Sequence, residues 1–578
     1  MRKSSGNLLK LAGDPTPWPA FETSYQVLAR QGLQSCLKTV KEWIETCDSH
    51  LDCTSAAITK LPKRVLDLHP HRFRNAISLV ETEEEDVGIY MTLSHRWGRV
   101  QPMTTTKDTL PRRKTAIRLP DLPRTFQDTV AVCRGLGVQY LWIDSLCILQ
   151  GDKLDWEQES AKMAAIYTNS YLNIAATRAN DSTGGCFPDR WIAIDIRGST
   201  QAIPLKSYEI RENHAGQPVS THVRVSLEAG HDDFLHSIRS VEGRAPLLSR
   251  AWVFQERCLA RRTLHFHAHE LVWECKMGLM CECKGLNAVE KDKNWYNRGW
   301  KALHTKWKAA DLQNMADLWL EVVNVFSKLD LTHESDRLPA LSGIASRFAG
   351  PVLSDYLAGL WREDLARSLL WFIGPHWKSS SRRPWPLRAP TWSWASVILN
   401  KQVDAVLTPF ITLGPVQLFC QDVNFRILDA QCSSSIVNPF GEVRGGTLTV
   451  ECLFNSVTLI KESSKGSNTL LILDRDIVEE DDLVLISQEI MHPDIALTKA
   501  NSDEVFGPVM VHCLFVGSKS NGSESNVERA VEYALVVCAS TSFEDAYERI
   551  GLLATHSIDQ ADYQNWFHAS SVGIFQIH

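Results

Sequence analysis

No stretch of this chain offers the roughly 18 uninterrupted apolar residues that a membrane span needs, so none is expected. The opening residues, MRKSSGNLLKLAG, carry basic side chains but no apolar run long enough for the core of a secretory leader. A cytoplasmic location is therefore expected. Positive charge is not in excess: the net charge is −7, which leaves no general attraction to nucleic acid. Three chemical signatures are missing as well. There is no G-x-S-x-G elbow, no phosphate loop of the form G-x-x-x-x-G-K-[ST], and no G-x-G-x-x-G after a strand. The GLG at 135–137 follows a helical pattern and reads as its stop. Hydride transfer and nucleoside triphosphate hydrolysis are thus disfavoured, and no cofactor is expected.

What is present fits a globular protein of several domains. The 578 residues exceed one ordinary core. The 15 cysteines are scattered, with no framework of small secreted domains, and read as reduced thiols. Tryptophan is abundant: 19 against 11 tyrosines, recurring in short polar motifs that would pin loops against a core.

Residues 1–84 are expected to form an N-terminal helical region, led by TSYQVLARQGLQSCLKTVKEWIETCDSHLDC with its helical apolar spacing and followed by LPKRVLDL (61–68) as a short extended piece. Strands and helices then alternate. GIYMTLSHRWG (88–98) reads as a strand ending in a polar motif. DLPRTFQDTVAVCRGLG reads as a helix with Phe126, Val130 and Cys133 as its apolar stripe and Gly137 as its cap. VQYLWID (138–144) is a compact apolar run suited to a parallel strand covered on both faces. DWEQESAKMAAIY gives a second helix, with Trp156, Met163, Ile166 and Tyr167 on one side, and YLNIAAT (171–177) a third strand. This βαβαβ order predicts a doubly wound α/β core with a parallel sheet over 85–285, interrupted by a charged, irregular insert at 185–245. After the insert come a helix at RAWVFQER (250–257) and a single strand, TLHFHAHELVWEC. A helical segment (286–388) and a β-rich C-terminal domain (389–578) follow, the latter with strands such as TLTVECLFNSVTLI, DLVLISQ, VMVHCLFVG and EYALVVCAS.

In open α/β sheets, ligands bind outside the carboxyl ends of the strands. Ser94, His95, Arg96, Trp97 and Gly98 would meet there with Asp144, Ser145 and Thr177. That set suits a nucleotide: Arg96 to pair with phosphate, Trp97 to stack, Asp144 to accept ribose hydroxyls. Equally, Asp144 caps its own turn and Trp97 packs inward. Either Glu157 or Glu159 faces the site, or, as the pattern favours, both lie on a solvated helical face with local pairing. Cys47-x2-His50-x2-Cys53, with Cys36 upstream, admits zinc, but recurrence at every third position favours a buried helix face. Cys275, Cys281 and Cys283 look still less like a site. His265, His267 and His269 would share one polar strand face. No metal is expected at any of these positions.

Several stretches together resemble the fungal heterokaryon incompatibility (HET) domain family. They are LSHRWG (93–98), LPRTFQDTVAVCRGLGVQYLWIDSLCILQ (122–150), DWEQESAKMAAIYTNSYLNIAAT (155–177), DSTGGCF (181–187) and RAWVFQERCLARRTLHF (250–266). SDRLPALSGIA, YLAGLW and APTWSWAS extend the resemblance into the C-terminal half. Two positions depart from the family pattern: Arg96 stands where many relatives carry cysteine, and Ala251 where many carry glycine. The resemblance implies a role in non-self recognition and programmed cell death. It also implies remote similarity to the Toll/interleukin receptor (TIR) domain, with its flavodoxin-like fold, some members of which cleave NAD with a glutamate in W-x-x-x-E. Trp252 and Glu256 match that spacing. Glu256 is then the candidate catalytic carboxylate, NAD or a related nucleotide the candidate substrate, and Trp252 a pocket residue. Two alternatives stand beside this. Glu256 pairs with Arg250, Arg257 or Arg261 as scaffold, or the domain signals without catalysis, through self-association or a protein partner.

Overall fold

The computed structural model describes residues 27–53, 58–69, 75–98, 103–187, 245–286, 311–374, 387–399, 419–435, 437–464, 509–519, 531–554 and 571–578. It also describes the shorter pieces 7–11, 22–24, 189–196, 199–204, 207–214, 217–226, 410–412, 467–474 and 491–493, with residues 231, 233, 234, 301, 383 and 384. The chain divides into two compact units, Met1–Ala309 and Ala310–His578.

In the first unit, helix α1 spans Leu33–Asp48, strand β1 Arg64–Asp67, β2 Ala76–Glu81 and β3 Tyr90–Ser94. Strand β4 is Ile117–Arg118, helix α2 Arg124–Gly135, β5 Tyr140–Trp142, helix α3 Lys153–Asn169 and β6 Asn173–Ala175. Helix α4 is Ala251–Leu259, followed by β7 (Arg262–Phe266), β8 (Leu271–Cys275) and β9 (Gly278–Cys281). The nine strands form one sheet in the order β9-β8-β7-β6-β3-β5-β1-β2-β4. Its centre, β7-β6-β3-β5, is parallel, and both flanks are antiparallel. Numbered along the chain, the parallel strands stand in the order 2-1-3-4. The crossover through α2 leaves β3 in one direction and the crossover through α3 returns in the other. Right-handed connections therefore place these helices on opposite faces. Strands β3 and β6 are buried throughout, as a doubly covered sheet requires.

Three expectations change. Strand β2 lies before residue 85, within the expected helical region, and Asn7–Leu11 is also a strand, whereas β1 falls in LPKRVLDL, where an extended piece is expected. The described part of the insert contains regular strands: Trp191–Ile196 pairs with Ser199–Pro204, and Ser207–His214 with Gln217–Ser226, each antiparallel. TLHFHAHELVWEC is not one strand but a hairpin, β7 and β8, turning at 267–270. That turn separates the three histidines. His265 and His267 each meet a carboxylate, Glu274 at 3.2 Å and Asp233 at 3.1 Å.

A buried charge network ties the antiparallel flank to the parallel core. The Arg64 guanidinium bonds the Asp155 carboxylate and, at 2.6 Å, the Cys147 carbonyl. Lys63 reaches the same carboxylate at 2.9 Å and the Leu149 N–H donates to it at 2.9 Å. Burial alone would raise the Asp155 pKa, but Arg64, Lys63 and the Leu149 amide bring it down to about 2.

In the second unit, helices Leu312–Phe326 and Pro339–Phe348 precede a β-rich region. Five strands close a ring there: Val443–Ser464, Val509–Lys519, Val531–Ala539, Tyr547–Ala554 and Ser571–Ile577, each hydrogen-bonded to the next and the last to the first. Closure removes exposed strand edges. The expected strand DLVLISQ lies outside the described residues. The tryptophans pin loops here. Trp319 and Trp394 both donate to the Gly359 carbonyl at 3.0 Å, and Trp371 donates to the Trp392 carbonyl at 2.9 Å. Among the described residues no helix is long and apolar enough to cross a membrane.

Candidate functional site at the strand ends

The parallel register sets the site. Ser94, the last residue of β3, is level with Ala175 of β6, which is level with His265 of β7. Thr92 pairs with Trp142, so Asp144 emerges from β5 at the level of Ser94. Gly98 then turns the chain with φ +74°; a Cβ there would lie 2.4 Å from the Asp181 Cβ. The residue type thus lets the SHRWG loop lie against the DSTGGCF loop. The second loop is itself held on α2: the Thr125 N–H donates to the Ser182 carbonyl at 3.0 Å and the Cys186 N–H to Asp128 at 2.8 Å.

Helix α4 is laid over these strand ends by its lead-in. The Leu247 N–H donates to the Thr177 carbonyl at 3.2 Å, just past β6. The Arg250 guanidinium donates to the His95 carbonyl at 2.9 Å, just past β3. One and a half turns later Glu256 faces inward, 5% exposed, with Ser94, Tyr167 and Asp144 around its carboxyl group. Burial pushes its pKa up to about 7; the Ser94 hydroxyl lowers it, the Asp144 charge raises it, and Arg250 and Tyr167 lower it. One carboxyl oxygen, Oε2, has no hydrogen-bond partner. Arg257 binds Glu274 at 2.7 Å, Arg250 binds His95, and no arginine closes an ion pair with Glu256 among the described residues.

The other predicted residues divide into a buried floor and a more open rim. Ser94, His95 and Ser145 are buried. Asn173 donates to the Ser94 Oγ at 3.0 Å, and Thr92 donates to Asn173 at 3.0 Å. His95 stacks edge-on against Phe126, with ring centroids 5.0 Å apart, and neither ring nitrogen is hydrogen-bonded. Its Nδ1 is 3.6 Å from the Asp144 carboxylate. Burial lowers the His95 pKa, against the opposing pull of the Asp144 charge. Asp144 is half-buried. It accepts from the Trp97 indole at 2.9 Å and from the Ser145 N–H at 2.6 Å, so it ties the rim to the turn that follows β5. Arg96, Trp97 and Trp252 are half-buried.

Residues 90–256 match the family model described as heterokaryon incompatibility protein (HET). This segment is a HET domain. It begins with β3 and ends on Glu256, so the match takes in β3, β5, β6 and the strand-end residues above. Comparison with curated proteins and with solved structures returned no match.

Sequence reasoning missed Tyr167 and Asn173 as site residues. Both sit in apolar patterns that hide a polar role; a lone Asn within a buried strand was the available signal for Asn173. Glu159 was read as solvated and is instead buried, with Lys162 at 3.0 Å. The cysteine reading changes too. α1 ends at Asp48, so His50 and Cys53 lie in the turn beyond it and do not continue a helix face. Cys275 joins Cys47, His50 and Cys53 in one cluster, where Cys36 had been the expected fourth member.

Proposed function

We propose that the HET domain is an incompatibility-type effector of programmed cell death in a fungal cell, acting by cleaving NAD or a related nucleotide. The observation that carries this reading is the Glu256 carboxyl: desolvated, in no ion pair with an arginine among the described residues, and set at the ends of β3 and β5 beside Ser94, Tyr167 and Asp144. The 2-1-3-4 strand order supports kinship with flavodoxin-like and TIR cores, in which the topological switch between the first and third strands is the ligand crevice. Here that switch lies between β3 and β6, under Glu256.

Such a group suits glycosidic cleavage. The nicotinamide–ribose bond breaks with its electron pair leaving on nicotinamide. The ribosyl cation that develops needs a nearby negative charge, which ionised Glu256 supplies in a low-dielectric setting. Water adds to the ribosyl carbon and gives up a proton to Glu256 or solvent, yielding nicotinamide and ADP-ribose. Arg96 and Trp97 on the rim serve the phosphate and a planar ring, with Trp252 one helical turn before Glu256. Glu256 is 5% exposed, so the site must open to admit a nucleotide. The burial itself favours the second reading, in which the domain signals without catalysis, through self-association or a protein partner.

NAD loss over time separates the two. Wild-type protein at high concentration with a crowding agent should consume NAD, and folded Glu256→Ala and Glu256→Gln should not. Absence of loss in the wild type, with cell killing that survives Glu256→Gln, would refute catalysis and leave the signalling reading.

A further inference from the structure

We infer that the first unit carries two structural zinc sites, one formed by Cys47, His50, Cys53 and Cys275 and the other by His231, Glu270, Cys281 and Cys283. In each set, one ligand atom per residue lies within 4.8 Å of all the others.

The first set has the composition of a closed zinc site: three thiols and one imidazole. Tetrahedral zinc with Zn–S near 2.3 Å and Zn–N near 2.0 Å separates its ligand atoms by about 3.5–3.8 Å. The Cys275 Sγ and His50 Nδ1 are 3.7 Å apart. Cys47, Cys53 and Cys275 are all buried, and His50 is half-buried. The chain builds the site by ending α1 one residue after Cys47. Two turns follow, with the His50 N–H on the Cys47 carbonyl and the Cys53 N–H on the His50 carbonyl, both at 3.0 Å. Cys275 arrives from the end of β8. Three thiolates and one zinc leave a net charge of −1, and the buried Arg261 and Arg262 supply positive charge beside it. Two nitrogens of Arg262 have no hydrogen-bond partner, which suits a cation facing diffuse thiolate charge. Cys47, Cys53 and Cys275 are all free thiols, and a single disulfide would engage only two of them.

The second set stands on separate observations. The His231 Nε2 lies 3.0 Å from the Glu270 carboxylate, 3.4 Å from the Cys283 Sγ and 3.7 Å from the Cys281 Sγ. The two sulfurs are 3.3 Å apart. Backbone amides already point at them: the Gly285 N–H at Cys283 and the Leu286 N–H at Cys281, both 3.4 Å. N–H donors to sulfur stabilise the thiolate over the thiol. Gly285 is required, because a Cβ there would stand 2.6 Å from the His231 ring.

The two sites occupy opposite ends of the β8–β9 hairpin, whose register sets Cys275 against Gly278 and Val272 against Cys281. One fastens the end of α1 to the sheet edge. The other fastens residue 231, just ahead of Asp233 and Phe234, which pack on His267 and His265 behind β7. Soft sulfur donors with imidazole select zinc over magnesium or calcium.

The test is the metal content of the full chain, expressed in zinc-supplemented medium and purified without chelator. The expected result is two zinc ions per chain in the wild type, one in Cys275→Ser and one in Cys281→Ser. X-ray absorption on the two single-site variants should show two sulfurs per zinc in Cys275→Ser and three in Cys281→Ser. A wild type without zinc, giving no thiolate charge-transfer band on cobalt(II) addition, overturns both sites whatever the variants do. One zinc in the wild type, lost in only one of the two variants, overturns the site whose variant keeps it.

Discussion

Replacing Glu256 with glutamine should stabilise the HET domain at alkaline pH and leave it nearly unchanged in acid. The fold raises the Glu256 pKa from an ordinary 4.5 to about 7, by burial first. A carboxyl group with a raised pKa favours the folded state only while it is protonated. Its contribution is therefore full below 4.5 and is lost as pH climbs towards 7, because the folded state binds the extra proton. Each pH unit of that interval is worth about 1.4 kcal/mol, so ionised Glu256 costs the folded state about 3 kcal/mol. Glutamine keeps the shape and removes the ionisation. Hydrogen exchange of α4 amides, compared between wild type and Glu256→Gln at each pH, isolates the term, since intrinsic exchange rates cancel in the ratio. From pH 5 to pH 8 that ratio should grow on the order of fifty-fold in favour of the variant's protection. A ratio that stays flat across this range would mean that Glu256 titrates as an ordinary carboxylate, and the argument from desolvation would fail.

Other outcomes follow from the same geometry. Ser94→Ala removes a hydroxyl that lowers the Glu256 pKa, so the pH at which the exchange ratio turns should move upward; a downward move would contradict the contact. Asp155→Asn leaves the buried Arg64 guanidinium only the Cys147 carbonyl and the Glu81 carboxylate at 3.9 Å, and should cost about 3 kcal/mol in urea unfolding of the first unit, against under 1 kcal/mol for an exposed pair. Gly98→Ala forces a positive φ on alanine and a 2.4 Å approach to Asp181, and should destabilise by roughly 1–3 kcal/mol or open the loop to proteolysis. Gly359→Ala, at φ +97° with a Cβ 2.7 Å from the Trp394 indole nitrogen, should disturb the near-ultraviolet circular dichroism of the tryptophan cluster in the second unit.

Much of the parallel core was legible from local pattern. The β3, β5 and β6 runs, the α2 stripe of Phe126, Val130 and Cys133, and the Gly137 stop all follow from periodicity and helix-ending chemistry, which act over a few residues. The residues at the strand ends were legible for the same reason: they follow apolar runs whose direction is fixed by the crossovers. What the sequence by itself determined was therefore the order of elements and which residues end them. Only the tertiary structure decided who meets whom. The β7–β8 hairpin was hidden because HFHAHE alternates like a continuing strand, and its turn is set by pairing with β6 and β9. Cys275 lies 222 residues beyond Cys53, and no local spacing records that the sheet edge returns it to the end of α1. Glu256 likewise has three arginines within reach along the chain, and local sequence would pair it with one. The fold instead commits Arg257 to Glu274 and Arg250 to His95, and leaves Glu256 a buried carboxyl with one oxygen unbonded. Ion pairing is settled by long-range competition for partners and by desolvation, and both exist only once the chain is folded.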